Sequence, residues 1–279
     1  MFEKMIVAFD GTDTGRDGLV LSMGLAKAFG SRVAVVYVYD EELAASSTEA
    51  ARELAEHAHA VLAGARGGVS QALAVSFCSL PATSPAHGLH ELAEGEQADL
   101  IVLGSRRLGP HTRAALGAVS ENIMRAAPCA VAVAPRGHRS DGGFVPQRIG
   151  VGWIPTDEAG IALEVSCRIA RATGGTVEVV STTSASATLE DLKARARRAV
   201  ECVLAALGGE IPVEIHARVG KASDVLVSRS AEMELMVLGS RGYGPPRTML
   251  FGSVSAQVVP LARCPVMILA AGERTPTVT

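Results

Sequence analysis

The stretch that decides the fold is Gly239-Ser-Arg-Gly242-Tyr-Gly-Pro-Pro-Arg-Thr-Met-Leu-Phe-Gly252-Ser253, because the chain contains it twice. The earlier copy reads Gly104-Ser-Arg-Arg107-Leu-Gly-Pro-His-Thr-Arg-Ala-Ala-Leu-Gly117-Ala118 and lies 135 residues upstream. Without gaps, residues 98–137 and 233–272 are identical at 15 of 40 positions. Such an internal repeat indicates two copies of one structural unit. We call these two stretches the glycine loops.

The repeat divides the 279 residues into two halves, each of ordinary domain size. We expect a first domain over residues 1–137 and a second over 147–272. The stretch 138–146 between them is polar and rich in glycine, which is typical of a linker. Residues 273–279 end in Thr-Pro-Thr-Val-Thr, and we expect a disordered tail there.

Short apolar runs alternate with longer segments of helical periodicity in each half. The first half has predicted strands at 5–10, 33–39, 72–77, 100–103 and 130–134. The second half has them at 149–153, 176–181, 213–217, 235–238 and 266–269. Helices are predicted between the strands, including 117–127 and 253–261. This alternation predicts an α/β protein of two tandem Rossmann-like domains, each a five-stranded parallel sheet flanked by helices.

Composition excludes several classes of function. Net charge is −3, and the longest basic cluster is Arg195–Arg198 on a predicted helix, so we expect no nucleic-acid surface. No stretch approaches the roughly 18 apolar residues that cross a bilayer, so we expect no membrane span. The first ten residues lack signal-peptide features, and five scattered cysteines suit a reducing compartment. We therefore expect a cytoplasmic protein.

The loops that follow the first and fourth strands carry the candidate binding chemistry. In a doubly wound sheet, ligands bind at the carboxyl ends of strands where the strand order reverses. Glycines let the backbone approach an anion, and a helix beginning near Gly252 would add free amides. Asp10, the last residue of the first predicted strand, could accept hydrogen bonds from a base or a ribose. The pattern predicts a mononucleotide whose phosphates are held by backbone.

Glycine-rich turns occur in any α/β protein, so one such loop alone would favour a purely structural role. Its recurrence at the same place in both halves strengthens the binding hypothesis. No segment reads Gly-x4-Gly-Lys-Ser/Thr, which argues against a Walker-type ATPase. The glycine fingerprint of a dinucleotide site is also absent after the first strand, which argues against a nicotinamide dehydrogenase.

Several motifs in the same order resemble the universal stress protein family. They are Gly-x2-Gly-x9-Gly-Ser after Leu-Met-Val-Leu, Ile-Val-Ala-Phe-Asp-Gly-Thr at the first strand, and Cys-Ala-Val-Ala-Val or Cys-Pro-Val-Met-Ile at the fifth. The resemblance covers nearly the whole chain, once per half. It implies ATP as the ligand, with or without Mg²⁺, in one branch of the family and no ligand in another. It also implies two-domain units built by pairing of fifth strands.

The resemblance assigns candidate binding residues in both halves. In the second half these are Gly239, Arg241, Gly242, Gly252, Ser253, Val254 and Ser255. In the first half they are Asp10, Gly11, Thr12, Val38, Gly104, Gly117 and Ser120.

The two halves depart from the family pattern in opposite ways. Trp153 is interpreted as standing where the first-strand aspartate belongs, and it could stack on adenine or fill its slot. Arg107 and Ala118 replace a glycine and the serine of the motif, and Arg107 could reach a phosphate or block the cradle. Arg241 could contact phosphate or lie on the surface. We expect the second half to bind nucleotide better.

The resemblance and the site chemistry together predict a stress-response protein that binds ATP or a related adenine nucleotide as a regulatory switch. Rapid phosphoryl transfer needs a metal clamp and a water-orienting group, and neither is visible in the glycine loops, so we do not expect an enzyme. Two alternatives stay open. One is a nucleotide-free dimerising scaffold, and the other is a slow ATP hydrolase that uses His111. The apolar fifth strands are expected to pair with each other or with a second chain.

Overall fold

The computed structural model describes residues 1–105, 117–138, 144–184, 188–240 and 252–269. The chain divides into two compact units, the first ending at Phe144 and the second beginning at Val145. This boundary lies inside the predicted linker 138–146. The predicted tail 273–279 lies outside the described residues.

The first unit is a five-stranded parallel sheet with helices in the connections. Its elements are β1 (Lys4–Ala8), α1 (Asp13–Phe29), β2 (Arg32–Asp40), α2 (Glu41–Ser46), α3 (Thr48–Arg66), β3 (Val75–Ala82), α4 (Pro85–Gly95), β4 (Leu100–Gly104), α5 (Ala118–Ala126) and β5 (Ala130–Ala134). The strand order is β3-β2-β1-β4-β5, and all neighbours are parallel. The order therefore reverses between β1 and β4.

The second unit repeats this architecture. Its elements are β6 (Arg148–Gly152), α6 (Asp157–Thr173), β7 (Thr176–Thr183), α7 (Leu189–Leu207), β8 (Val213–Val219), α8 (Ala222–Arg229), β9 (Leu235–Gly239), α9 (Ser255–Val258) and β10 (Val266–Leu269). The strands follow the order β8-β7-β6-β9-β10, again all parallel. Here the order reverses between β6 and β9. The predicted α/β fold, with two tandem units, is confirmed.

The central strands form the core of each unit. The side chains of Leu100–Leu103 in β4 and Leu235–Leu238 in β9 are at most 3% exposed. Helices cover both faces of a doubly wound parallel sheet, so its inner strands read as continuous apolar runs rather than as alternating patterns. This burial explains why these strands could be predicted almost to the residue.

The helix after the first strand is bounded by the same signals in both units. Thr12 caps α1 by accepting a hydrogen bond from Gly15 N at 3.3 Å, and Thr156 caps α6 by accepting one from Ala159 N at 3.4 Å. At the other end, Gly30 and Gly174 adopt φ of +67° and +70°. Glycine tolerates this left-handed conformation, in which the helix ends. These two helices therefore start and stop at equivalent positions.

Three elements differ from the sequence prediction. The edge strand β3 spans Val75–Ala82 rather than 72–77, and its half-buried residues give no clear apolar pattern. Helix α2 was not predicted, because it buries none of its residues. Asp40 caps this helix by accepting a hydrogen bond from Leu43 N at 3.0 Å. Helix α9 covers only Ser255–Val258 rather than 253–261. Pro260 lacks the N–H that a longer helix would need.

Residues within the predicted linker 138–146 and next to it are packed rather than free. Gly137 N donates to Asp17 Oδ2 at 2.8 Å, and His138 meets Phe144 edge to face with ring centroids 4.5 Å apart. Burial lowers the pKa of His138 to about 4. Residues 139–143 lie outside the described residues. The first unit thus includes part of the segment that the sequence assigned to the linker.

This packing makes Gly24 on α1 a sensitive position. A Cβ at Gly24 would collide with the backbone oxygen of Phe144, whereas a Cβ at Gly64 on α3 would have no heavy atom within 4 Å. We expect Gly24→Ala to lower the free energy of unfolding by about 1–3 kcal/mol. Gly64→Ala should be neutral or stabilising by up to about 1 kcal/mol. Urea unfolding of both variants checks this, and equal effects would contradict it.

Candidate functional site

The backbone register defines which residues of the two units are equivalent. Lys4 pairs with Arg32 as Arg148 pairs with Thr176, at the start of the first strand of each unit. At the other end, Phe9 N donates to Val36 O at 2.9 Å and Trp153 N donates to Val180 O at 2.9 Å. Trp153 is therefore equivalent to Phe9, which lies 144 residues before it.

This register corrects the interpretation of Trp153. The residue equivalent to Asp10 is Ile154, and the capping residues Thr12 and Thr156 follow two positions later in each unit. The interpretation was off by one position, since Trp153 lies 143 residues after Asp10 whereas the register of the first strands sets an offset of 144, against 135 for the glycine loops. The connections between the first and fourth strands differ in length, so the spacing there is 144. The aspartate is thus replaced by an aliphatic residue, and the aromatic position is retained.

Each unit has a cavity where its strand order reverses. The cavity of the second unit has a volume of about 310 Å³ and is bordered by the carboxyl ends of β6, β7 and β9. The equivalent cavity of the first unit, bordered by β1, β2 and β4, has a volume of about 200 Å³. Both therefore occupy the place at which a doubly wound sheet binds ligands.

Five of the predicted residues line the second cavity: Gly239, Gly252, Ser253, Val254 and Ser255. Ser255 Oγ donates to Gly252 O at 3.1 Å and fixes the turn that ends the glycine loop. A Cβ at Gly239 would lie 2.5 Å from Glu158 O, so this glycine allows α6 to pack closely on β9. Arg241 and Gly242 lie outside the described residues.

Trp153 is packed into the wall of the second cavity. It lines the cavity but is only 5% exposed, as Phe9 is 3% exposed in the first unit. Its carbonyl accepts from Ser181 Oγ at 2.9 Å. Its indole Nε1 has no hydrogen-bond partner among the described residues. The side chain therefore contributes most of its surface to the core next to the cavity.

The first cavity contains four of its predicted residues: Asp10, Val38, Gly104 and Ser120. Asp10 Oδ1 accepts from Thr12 N at 3.0 Å and from Thr12 Oγ1 at 2.6 Å. Such local bonds of an aspartate stabilise a turn. One carboxylate oxygen of Asp10 is thus already engaged by the protein.

The other predicted residues of the first half have different positions. Gly11 supplies the positive φ of +78° in the turn after β1, and Thr12 caps α1. Together with Gly117, they are absent from the described residues that line the cavity. Arg107 and His111 lie outside the described part of the chain.

Sequence reasoning missed several residues that line the second cavity. Thr182 in β7 is equivalent to Val38, because both lie two residues after the strand residue whose carbonyl is bonded to Trp153 N or Phe9 N. Glu158 in the first turn of α6 and Leu226 in α8 also line the cavity. The caps Thr12 and Thr156 set an offset of 144 residues, which carries the predicted Val38 to Thr182. No residue predicted in the first half corresponds to Glu158, whose counterpart is Thr14.

The described residues offer neither a membrane-spanning helix nor a metal cluster. No described helix is both long enough and apolar enough to cross a membrane. Within the same residues, no group of three or more His, Cys, Asp or Glu side chains could hold a metal ion.

Because Trp153 is equivalent to Phe9, the free energy of unfolding should depend on whether a substitution at Trp153 keeps an aromatic ring. We expect Trp153→Phe to cost less than about 1.5 kcal/mol, because phenylalanine already occupies this place in the first unit. Trp153→Ala should lower the free energy of unfolding by about 3–5 kcal/mol, because it leaves an unfilled cavity where the indole packs. Denaturant unfolding followed by circular dichroism measures both. Equal losses would show that Trp153 does not have the packing role of Phe9.

Comparison with known proteins agrees with this architecture. The universal stress protein family model matches residues 1–135 and 146–270. A universal stress protein of Mycobacterium tuberculosis is 32% identical over 191 residues, which is 62% of this chain and 62% of that protein. The chain therefore matches less than two thirds of the length of that relative. A universal stress protein of Thermus aquaticus is 34% identical over 142 residues, covering 47% of this chain and 97% of that protein.

The fold comparison covers both units. The crystal structure of a universal stress protein from Archaeoglobus fulgidus aligns with a TM-score of 0.79 at 22% identity, over 96% of this chain and 98% of that chain. This likeness shows a shared fold. The family model matches once within each unit, and the two matches cover most of the chain. The chain belongs to the universal stress protein family.

Proposed function

We propose that this protein binds an adenine nucleotide, with ATP as the leading candidate, in the cavity of the second unit. The observation that carries the proposal is the convergence of both ends of the glycine loop on that cavity. Gly239 stands at the end of β9, and Gly252 and Ser253 stand at the return of the chain, all lining one space. Glycine backbone at such a crossover can approach phosphate closely.

The remaining walls suit a flat ring. Ile154, Val180 and Leu226 give the cavity an apolar side next to the glycine loop. Small-molecule sites are typically mostly apolar with a few polar groups, and their volumes start at about 300 Å³. The second cavity, at about 310 Å³, reaches that size, whereas the first, at about 200 Å³, is smaller.

The first unit has weaker support for a nucleotide. Ala118 replaces the serine that Ser253 provides in the second unit. Asp10 is present, but part of its hydrogen-bonding capacity is used by Thr12. We therefore place the stronger site in the second unit.

We propose a binding or regulatory role in the stress response rather than an enzymatic one. Phosphoryl transfer uses a metal clamp and a residue that orients the attacking water. Among the described residues that line the second cavity, Glu158 is the only acidic side chain, and no histidine is present. Slow hydrolysis would need that single carboxylate, so turnover of ATP above background is the observation that would favour the hydrolase alternative. Assembly through the fifth strands and a cytoplasmic location stay predictions.

The equivalent glycines Gly252 and Gly117 provide a matched test of the proposed site. We expect wild-type protein to bind ATP at one site, with a change in the fluorescence of its single tryptophan, Trp153, because that residue lines the cavity. Gly252→Asp should weaken binding at least about tenfold, since it adds a carboxylate beside the phosphates. Gly117→Asp should leave binding unchanged.

Isothermal titration calorimetry with ATP gives the stoichiometry and affinity of each variant. Circular dichroism before each titration confirms that the variant is folded. Loss of binding in Gly117→Asp together with wild-type affinity in Gly252→Asp would move the site to the first unit. Absence of binding in folded wild-type protein would favour the nucleotide-free scaffold.

A further inference from the structure

Each cavity has one acidic residue among its described lining residues, but the two residues occupy different positions. In the first cavity it is Asp10, two residues after the end of β1. In the second it is Glu158, in the first turn of α6. The position of Asp10 is taken by Ile154 in the second unit, and the position of Glu158 is taken by Thr14 in the first. The acidic residue of the cavity therefore follows the first strand in the first unit and lies in the first turn of the helix in the second unit.

The new position lies against the start of the glycine loop. In the first unit, a Cβ at Gly104 would lie 2.8 Å from Thr14 Cγ2, so this side chain meets the end of β4. In the second unit, a Cβ at Gly239 would lie 2.5 Å from the backbone oxygen of Glu158. Glu158 is thus next to Gly239, the residue at which the glycine loop of the second unit begins.

The two acidic residues also differ in how far the protein engages them. Asp10 accepts two hydrogen bonds from Thr12. Glu158 is half-buried, and it has no ion pair or side-chain hydrogen bond within the described part of the chain. Within the described residues, the Glu158 carboxylate is therefore available to a ligand. Next to a polyphosphate it would be repulsive unless a cation lay between them.

We propose that Glu158 makes the cavity of the second unit selective for a nucleotide polyphosphate in its Mg²⁺ complex over the metal-free form. This inference rests on the proposed nucleotide binding. Magnesium in proteins is commonly held by one or two carboxylates together with substrate phosphates, and it keeps several waters. A cation that arrives with the nucleotide turns the repulsion by Glu158 into an attraction. Thr14 provides no such charge in the first unit.

The test is the affinity for ATP in excess Mg²⁺ and in EDTA, measured by the fluorescence of Trp153. We expect wild-type protein to bind the Mg²⁺ complex about tenfold more tightly, as one charge a few ångström away in partly solvated surroundings would give. Glu158→Gln should bind metal-free ATP about tenfold more tightly than wild type, so that its two affinities become nearly equal. Glu158→Thr, which introduces the residue of the first unit, should behave in the same way.

Asp157→Asn is the matched control, because Asp157 is exposed, lies in the same helical turn and does not line the cavity. It should keep the wild-type ratio of the two affinities. An unchanged ratio in Glu158→Gln, equal loss of both affinities in that variant, or the same change in Asp157→Asn would overturn the role of Glu158. Equal affinities in wild-type protein would also overturn it while leaving nucleotide binding intact. Absence of binding in both buffers would instead overturn the proposed function.

Discussion

The reversal of strand order in each parallel sheet is the constraint on which the site depends. In the first unit β1 pairs with β2 on one side and β4 on the other, and in the second β6 pairs with β7 and β9. The connections leave such a pair of strands toward opposite faces of the sheet, and this opens a crevice at their carboxyl ends. Both cavities lie there, and so does the start of each glycine loop.

The two units keep the backbone of this crevice and change its side chains. Gly104 and Gly239 are retained because a Cβ at either would collide with the first turn of the helix that packs on it. By contrast, the carboxylate of Asp10 has no counterpart at Ile154, and the second unit carries Glu158 instead. Packing therefore fixes the backbone shape of both cavities, while the position of the acidic side chain that lines each cavity differs between the units.

The fold was predictable from the sequence because its signals are physical and local. Buried strands such as Leu235–Gly239 read as apolar runs, and helix caps such as Thr156 mark the following helix. Helix α2 escaped prediction because nothing in it is buried. The error at Trp153 had another cause: an apolar run does not show to the residue where a strand ends, and only the register shows that Trp153 matches Phe9 rather than Asp10. Glu158 was missed because its counterpart in the first unit, Thr14, carried no sign of a binding role in the sequence.

We expect the protein to have one working nucleotide site, in the second unit. The most direct measurement is to purify the protein without added ligand, denature it, and identify and count the released nucleotide by chromatography and mass spectrometry. We expect close to one adenine nucleotide per chain. Two per chain would contradict the ranking of the units. None, together with no shift in melting temperature on adding ATP, would contradict nucleotide binding itself.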